Sequence, residues 1–415
     1  MSKPIWKIAA LAVLLPSTTL ASDGLNGANT AWILTATALV LMMTLPGLSL
    51  FYGGLVRVKN ILSILLQCFA VTCVASLLWL LVGYSMAFSE GNAFVGGFDN
   101  ILMGAVTEGS MAGDIPESVF AMFQMTFAII TPALIVGGFA ERMRFSSMLV
   151  FSGLWLLAVY APITHWVWGG GWLAEMGLLD FAGGTVVHVT AGVAAVVAAM
   201  VMGPRHGFPT QPMPPHNMTM TITGAGLLWV GWFGFNVMSA QTLDGISGLV
   251  AVNTLMAMAG GTLAALVIGK NDPGFVHNGP LAGLVAVCAG SDLMHPIGAL
   301  AVGLIAGGLF VYAFIMTQNR WKIDDVLGVW PLHGICGAWG GIAAGIFGLE
   351  ALGGLGAVSL ISQLIGTLLG VSVALIGGLV VYGGVKRFIG LRLTEEDEFN
   401  GADLSIHKIG ATSFD

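Results

Sequence analysis

The chain has 415 residues, 56% hydrophobic and only 8% charged, with a formal net charge of -7. Soluble domains carry about 25% charged residues, so the composition excludes a soluble domain and points to a polytopic membrane protein with no nucleic-acid partner. Glycine, at 60 residues, is about twice as frequent as usual, which lets membrane helices approach closely.

The N-terminus carries Lys3 and Lys7 around a short apolar run, "IAALAVLLP", and then "TTLASDG". Thr19 and Ala21 stand at the -3 and -1 positions of a cleavable signal peptide, residues 1–21; an uncleaved first helix is the alternative. Residues 22–390 are expected to form the membrane domain and 391–415 a cytoplasmic tail. A spanning helix needs ~20 mostly apolar residues. Eleven spans are predicted near 31–53, 63–88, 117–139, 146–168, 182–203, 217–239, 247–269, 279–293, 297–317, 327–348 and 358–386, an all-α architecture. The four cysteines, Cys68, Cys73, Cys288 and Cys336, fall in apolar stretches without a CxxC pair. They read as reduced packing residues, not as a disulfide or zinc framework.

Charge tests the count. With the N-terminus outside, the inner loops hold Arg57, Lys59, Arg142, Arg144, Arg205, Lys270, Arg320 and Lys322. The tail adds Lys386, Arg387, Arg392 and Lys408, and with Lys3 and Lys7 these are all 14 lysines and arginines. The outer loops hold acids alone, including Glu90, Asp114, Glu117, Asp244 and Asp292. One miscounted span would scramble this separation, so the positive-inside rule supports eleven spans, N-out and C-in.

Span 5 contains "DFAGGTVVHVTAGVAAVV" and span 10 "DDVLGVWPLHGICGAWGG". Both fit D-x7-H-x3-G: Asp180, His188 and Gly192, then Asp325, His333 and Gly337. Spans five apart run in opposite directions, so the pattern predicts an inverted repeat. Spans 1–5 (about 31–203) would match spans 6–10 (about 217–348), with span 11 (about 358–386) added. At ~1.5 Å per residue each histidine lies about 12 Å from its aspartate. In a ~30 Å core the two imidazoles then meet near the midplane, about 6 Å apart in depth. Buried ionisable groups in membranes are costly and mark function. The alternatives are two packing histidines bonded to backbone carbonyls, or metal or haem ligation, for which only Cys336 comes to comparable depth.

These residues carry a family resemblance. "DFAGGTVVHVTAGVAAVVAAMVMGPR", "FYGGLVRVKN", "AERMRFS", "HWVWGGGWL", "GWFGFN" and "DDVLGVWPLHGICGAWGG" resemble, in order and spacing, the Amt/Mep/Rh ammonium transporters, on the bacterial Amt branch. The resemblance implies the ammonium transporter fold, a homotrimer in the bacterial inner membrane with one pore per protomer, a periplasmic N-terminus, ammonium or ammonia as substrate, contact with membrane lipid, and no cofactor or metal. It implies an outer recruitment site of Trp168, Phe127 and Ser239, with Phe127 and Phe235 as stacked rings closing the pore beneath. His188 and His333 would line an apolar pore. Asp180 would organise the recruitment site, with Phe123, Gln124 and Trp232 around the pore entrance. Trp166, Trp172 and His165 read as interfacial and His216 as a cap of span 6; His206, His277, His295 and His407 are assigned no role.

Two departures stand out. Where the family often has Thr-Pro after span 8, this chain has Cys288 and Ala289, followed by Ser291 and Asp292. The acidic tail resembles the family's regulatory tail, implying a PII-type signalling partner at the inner face. Here Gly401-Ala402-Asp403 replaces Gly-Leu-Asp, and Lys408 replaces a glycine.

The expected chemistry follows. A cation over Trp or Phe faces gains about 0.5–2 kcal/mol, enough to concentrate it without trapping it, as conduction requires. Potassium matches ammonium in size but cannot give up a proton. A dry pore with imidazoles would therefore pass ammonia and exclude potassium. The proton either returns outside or crosses by a separate relay, since imidazole both donates and accepts. A neutral-solute channel would want an NPA pair, absent from the sequence, and a membrane protease a Ser–His or Asp–Asp pair at depth. An ammonium sensor would share the whole site.

Overall fold

The computed structural model describes residues 24–411; the expected signal peptide lies outside the described residues. The protein is mostly helical. Nine helical segments among the described residues are long and apolar enough to cross a membrane. They are Gly27–Leu55, Val58–Phe88, Glu117–Phe139, Phe145–Glu175, Gly184–Met202, Met218–Ala240, Gly245–Ile268, Pro296–Arg320 and Leu360–Phe388. They fall on predicted spans 1–7, 9 and 11.

Two shorter segments, Asn278–Val287 and the run from Trp330 to Phe347, occupy the places of spans 8 and 10. Span 8 ends early because its backbone turns to meet the segment leading into span 5. The Phe181 and Ala182 N–H groups donate to the Ala289 and Cys288 carbonyls at 3.1 and 2.9 Å. Such non-helical backbone is tolerated at depth only where protein satisfies it. The all-α expectation needs one amendment: two-residue strands pair as small hairpins in the 89–116 loop.

The predicted repeat takes physical form in spans 5 and 10. Asp180 Oδ2 accepts from the Thr185 and Val186 N–H groups, both at 2.9 Å. Asp325 Oδ2 accepts from the Trp330 N–H at 2.7 Å. Each aspartate thus caps its own helix at the residue five further on, satisfying N–H groups that have no partner within the helix. Both helices open with a π-helical turn, Gly184–Val189 and Trp330–Ile335, and both turns carry the histidine.

The glycines of the motif are the crossing point. A Cβ on Gly192 would lie 2.1 Å from the Gly334 N atom, and one on Gly337 would lie 2.9 Å from the Gly184 carbonyl oxygen and 3.1 Å from His188 Cβ. Each repeat's glycine admits the backbone beside the other repeat's histidine. Gly192→Val should therefore fail to assemble or lose at least about 1–3 kcal/mol of stability, because the clash is with backbone that cannot rotate away. A thermal unfolding scan in detergent checks this; unchanged stability would mean that the helices do not cross there.

Contacts sort the loops onto two ends. At one end Asn29 Nδ2 donates to Asp114 Oδ2 at 2.7 Å, and its Oδ1 accepts from the Leu243 N–H at 2.9 Å. At the other, a buried ion cluster joins four loops. Arg57 and Arg205 reach Glu141 at 2.5 and 3.1 Å, and Arg205 reaches Asp324 at 2.9 Å. Burial opposes ionisation of the Asp324 carboxyl, but the Arg205 guanidinium and its hydrogen bonds more than offset that and hold it below the ordinary carboxylate range.

The tail lies on this basic end. Arg392 pairs with Glu398 at 2.8 Å and donates to the Met202 carbonyl, the last helical residue of span 5. Asp403 accepts from the Leu62 and Ser63 N–H groups at 3.0 and 2.7 Å, capping span 2.

Candidate functional site

At the acidic end a cavity of about 270 Å³ is lined by Phe88, Phe120, Gln124, Phe127, Val167, Trp168, Phe181, Ser239 and Gln241. Three helices supply its main groups. Gln124 and Phe127 face it one turn apart on span 3, Trp168 ends the helix of span 4, and Ser239 closes span 6, its Oγ donating to the Phe235 carbonyl at 2.9 Å. Trp168 is oriented by its indole Nε1, which donates to the Asp180 carbonyl at 2.7 Å. Asp180 therefore serves two elements: its side chain caps span 5 and its backbone holds Trp168.

Beneath the cavity the rings form a column. Phe127 meets Trp168 edge-on with centroids 5.8 Å apart. Phe127 and Phe235 lie 4.4 Å apart at 35°, and both are buried. The His188 ring stacks on Phe235 and on Trp232, each at 5.6 Å, and on His333 at 5.1 Å. The imidazoles face each other through their Nδ1 atoms, 3.2 Å apart. Beside them lies a narrow apolar cavity of about 10 Å³, lined by both histidines with Leu48, Ile130, Trp232, Leu281 and Leu332 among others. That is room for about one water-sized molecule.

The placements of the predicted residues differ in detail. Trp168, Phe127, Ser239 and Gln124 converge on one cavity. Phe123 is buried beside Phe127, at 5.1 Å, and is not among the residues lining it. Trp232, expected at the entrance, lies below the Phe127–Phe235 pair against His188. The depth order was available: span 6 was predicted to run outward, so Trp232, three residues before Phe235, sits deeper.

Several neighbours were missed. Phe120 precedes Gln124 by one turn, and its position on that face was legible. Phe88 is the last residue of span 2, and Phe181 and Gln241 come from segments flanking the spans; none of the three gave a periodic signal.

Four expectations are corrected. Cys288, not Cys336, reaches the imidazoles: its Sγ lies 3.4 Å from His188 Nε2, whereas Cys336 Sγ lies against the Pro331 and Ala306 carbonyls at 3.3 and 3.5 Å, with its one hydrogen for either. Cys73 is exposed rather than packed. His165 is buried, its ring nitrogens set against the Ala87 and Asn92 carbonyls at 3.0 and 2.8 Å, so it ties the 89–116 loop to span 4. Span 6 is capped by Asn217, whose side chain accepts from the Met220 N–H, and not by His216.

Two helices crossing at facing imidazoles, with an aromatic-lined cavity and a narrow apolar cavity beside them, make a multi-span membrane protein with a polar site at depth. Comparison with known proteins is specific. The model of the Ammonium Transporter Family matches residues 31–412, and the chain belongs to that family. It is 41% identical over 395 residues to the ammonium transporter of Bacillus subtilis (strain 168), covering 91% of this chain and 97% of that one. It is 39% identical to ammonium transporter Amt1 of Archaeoglobus fulgidus, covering 93% and 98%. Among solved structures, Candida albicans Mep2 is 30% identical with a TM-score of 0.84, covering 90% and 88%. A protein described as "Sensor Amt Protein" is 31% identical at the same TM-score, covering 91% and 98%.

Proposed function

We propose that this protein takes up ammonium across the bacterial inner membrane as a homotrimer of eleven-span protomers. The acidic end faces the periplasm and the basic end and tail face the cytoplasm, as the positive-inside rule requires. Relatives named ammonium transporters over nearly the whole chain support the substrate. The observation that carries the mechanism is the unbroken column from Trp168 through Phe127 and Phe235 to His188 and His333.

The cation is met in the vestibule by the Trp168 and Phe127 faces and the Ser239 hydroxyl. It is deprotonated near the top of the pore. Ammonia then passes when Phe127 and Phe235 part, and crosses beside the imidazoles. The proton returns outside or is relayed separately. The tail, pinned through Glu398 and Asp403 to the ends of spans 5 and 2, is the surface on which a PII-type signalling protein would act.

Trp168→Leu should weaken capture of dilute ammonium by about two- to thirtyfold, the worth of one cation–π contact, while assembly stays intact. Uptake measured against ammonium concentration checks this; an unchanged half-saturation would remove Trp168 from the recruitment site. The likeness to a protein described as a sensor supports one rival reading, in which ammonium binds without moving. A flux assay separates the two.

A further inference from the structure

We propose that Cys288 is a positioning residue that sets the direction of the hydrogen bond between the twin imidazoles. The inference rests on the reading that the imidazole pair lines the conduction path. Cys288 Sγ has four polar neighbours: Trp232 Nε1 at 3.2 Å, the Leu284 carbonyl at 3.1 Å, Asn236 Oδ1 at 3.3 Å and His188 Nε2 at 3.4 Å.

A thiol has one hydrogen. The indole can only donate, so it spends its N–H on the sulfur. The two oxygens can only accept, and both lie nearer than the imidazole. The Leu284 oxygen has the stronger claim. The Cys288 N–H bonds Val285 instead, leaving the Leu284 carbonyl beyond the end of the helical ladder, where such groups need another donor. Asn236 is itself anchored, its Nδ2 donating to Thr254 Oγ1 at 3.1 Å. The S–H is thus committed to an oxygen, and the sulfur faces His188 Nε2 as an acceptor.

The rest of the chain follows. His188 carries its hydrogen on Nε2 and donates it to Sγ. Its Nδ1 is bare and accepts from His333 Nδ1, which must carry a hydrogen. His333 Nε2 is then bare. The pair becomes a directed chain with its accepting end on the side away from Cys288. Reversing it requires the thiol to turn its hydrogen from an oxygen to His188. Sulfur is a weak donor and acceptor, so the arrangement is a bias and not a lock, which suits a site that must exchange protons. Cys288 touches His188 and not the passing molecule.

The test uses the full-length protein in lipid bilayers with nitrogen-15 labelled histidine, since bare and protonated ring nitrogens have distinct shifts. His188 should be bare at Nδ1 and His333 at Nε2, favoured by about two- to fivefold, the low end of a hydrogen bond's net worth, as a weak sulfur acceptor supplies. In Cys288→Ala the two arrangements should approach equal population. Maximal ammonium current should fall several-fold with half-saturating ammonium unchanged, because the vestibule is untouched. Cys288→Ser, which keeps a hydroxyl in place, should recover much of both. A residue that merely fills space would leave the tautomers alone.

The opposite tautomers in the unmodified protein, or an unaltered ratio in Cys288→Ala, would overturn the proposal. If Cys288→Ala does not fold, the unmodified protein decides by itself. Predicted tautomers in a protein that shows neither ammonium current nor internal alkalinisation would refute conduction and leave this assignment standing.

Discussion

His188→Asp or His333→Asp should open the pore to potassium while ammonium-dependent current persists or rises. The two imidazoles are net neutral or share one proton, since two adjacent positive charges cannot be held in an apolar membrane interior. They sit among leucines in a cavity with room for about one water-sized molecule. Potassium entering there would lose its hydration shell and gain no anionic ligand. Aspartate is smaller than histidine and carries a fixed charge, so it admits water and supplies that ligand. A unit charge about 4 Å from a cation at an effective dielectric of about 20 is worth about 4 kcal/mol. Most of that repays dehydration, and what remains should raise potassium current by roughly tenfold or more. Potassium and ammonium currents recorded on one membrane decide it. Complete exclusion of potassium by both variants would show that selectivity resides elsewhere, with the Phe127–Phe235 pair the next candidate.

Asp180→Ala should abolish transport. Its carboxylate accepts two buried N–H groups at the start of span 5, and its carbonyl carries Trp168. Removing the side chain strands both donors at about 1–3 kcal/mol each and releases the π-helical turn that presents His188. Vestibule and pore would therefore lose their alignment together. Asp180→Asn keeps an accepting oxygen and should retain part of the current. The contrast separates two roles: if Asn restores full activity, the negative charge is not needed and Asp180 acts by capping alone. Full activity in Asp180→Ala would remove the residue from the site. Thermal unfolding of the same variants distinguishes a misfolded protein from one that folds but does not transport.

Much of this architecture was legible in the sequence because a membrane leaves few solutions. Nine of the spans expected from hydropathy are long apolar helices among the described residues. The D-x7-H-x3-G repeat announced the crossing of spans 5 and 10 through spacing alone, since Asp180 and Asp325 are each placed to cap the helix that bears the histidine. The shortness of span 8 showed in its predicted range, 279–293, but its cause did not, because it depends on hydrogen bonds from Phe181 and Ala182, about a hundred residues away. Nor were the π-helical turns, whose extra residue shifts the helix face on which His188 and His333 emerge. Cys288 marked a departure from a family pattern, yet its contact with His188 depends on the rotation of span 8 against spans 5 and 6, which apolar runs do not encode. The tail's resemblance to a regulatory tail was legible, but not that Glu398 and Asp403 are buried and fasten it to the ends of spans 5 and 2.

The central claim is that an aromatic vestibule collects ammonium and a dry imidazole pore moves it while holding potassium back. Purified protein in supported membranes, pulsed with ammonium and then with potassium at the same concentration, tests this most directly. The account predicts ammonium-dependent transport, read as current if the proton crosses and as internal alkalinisation if it does not, with no response to potassium. Equal responses to the two ions, or ammonium binding with neither current nor alkalinisation, would contradict it.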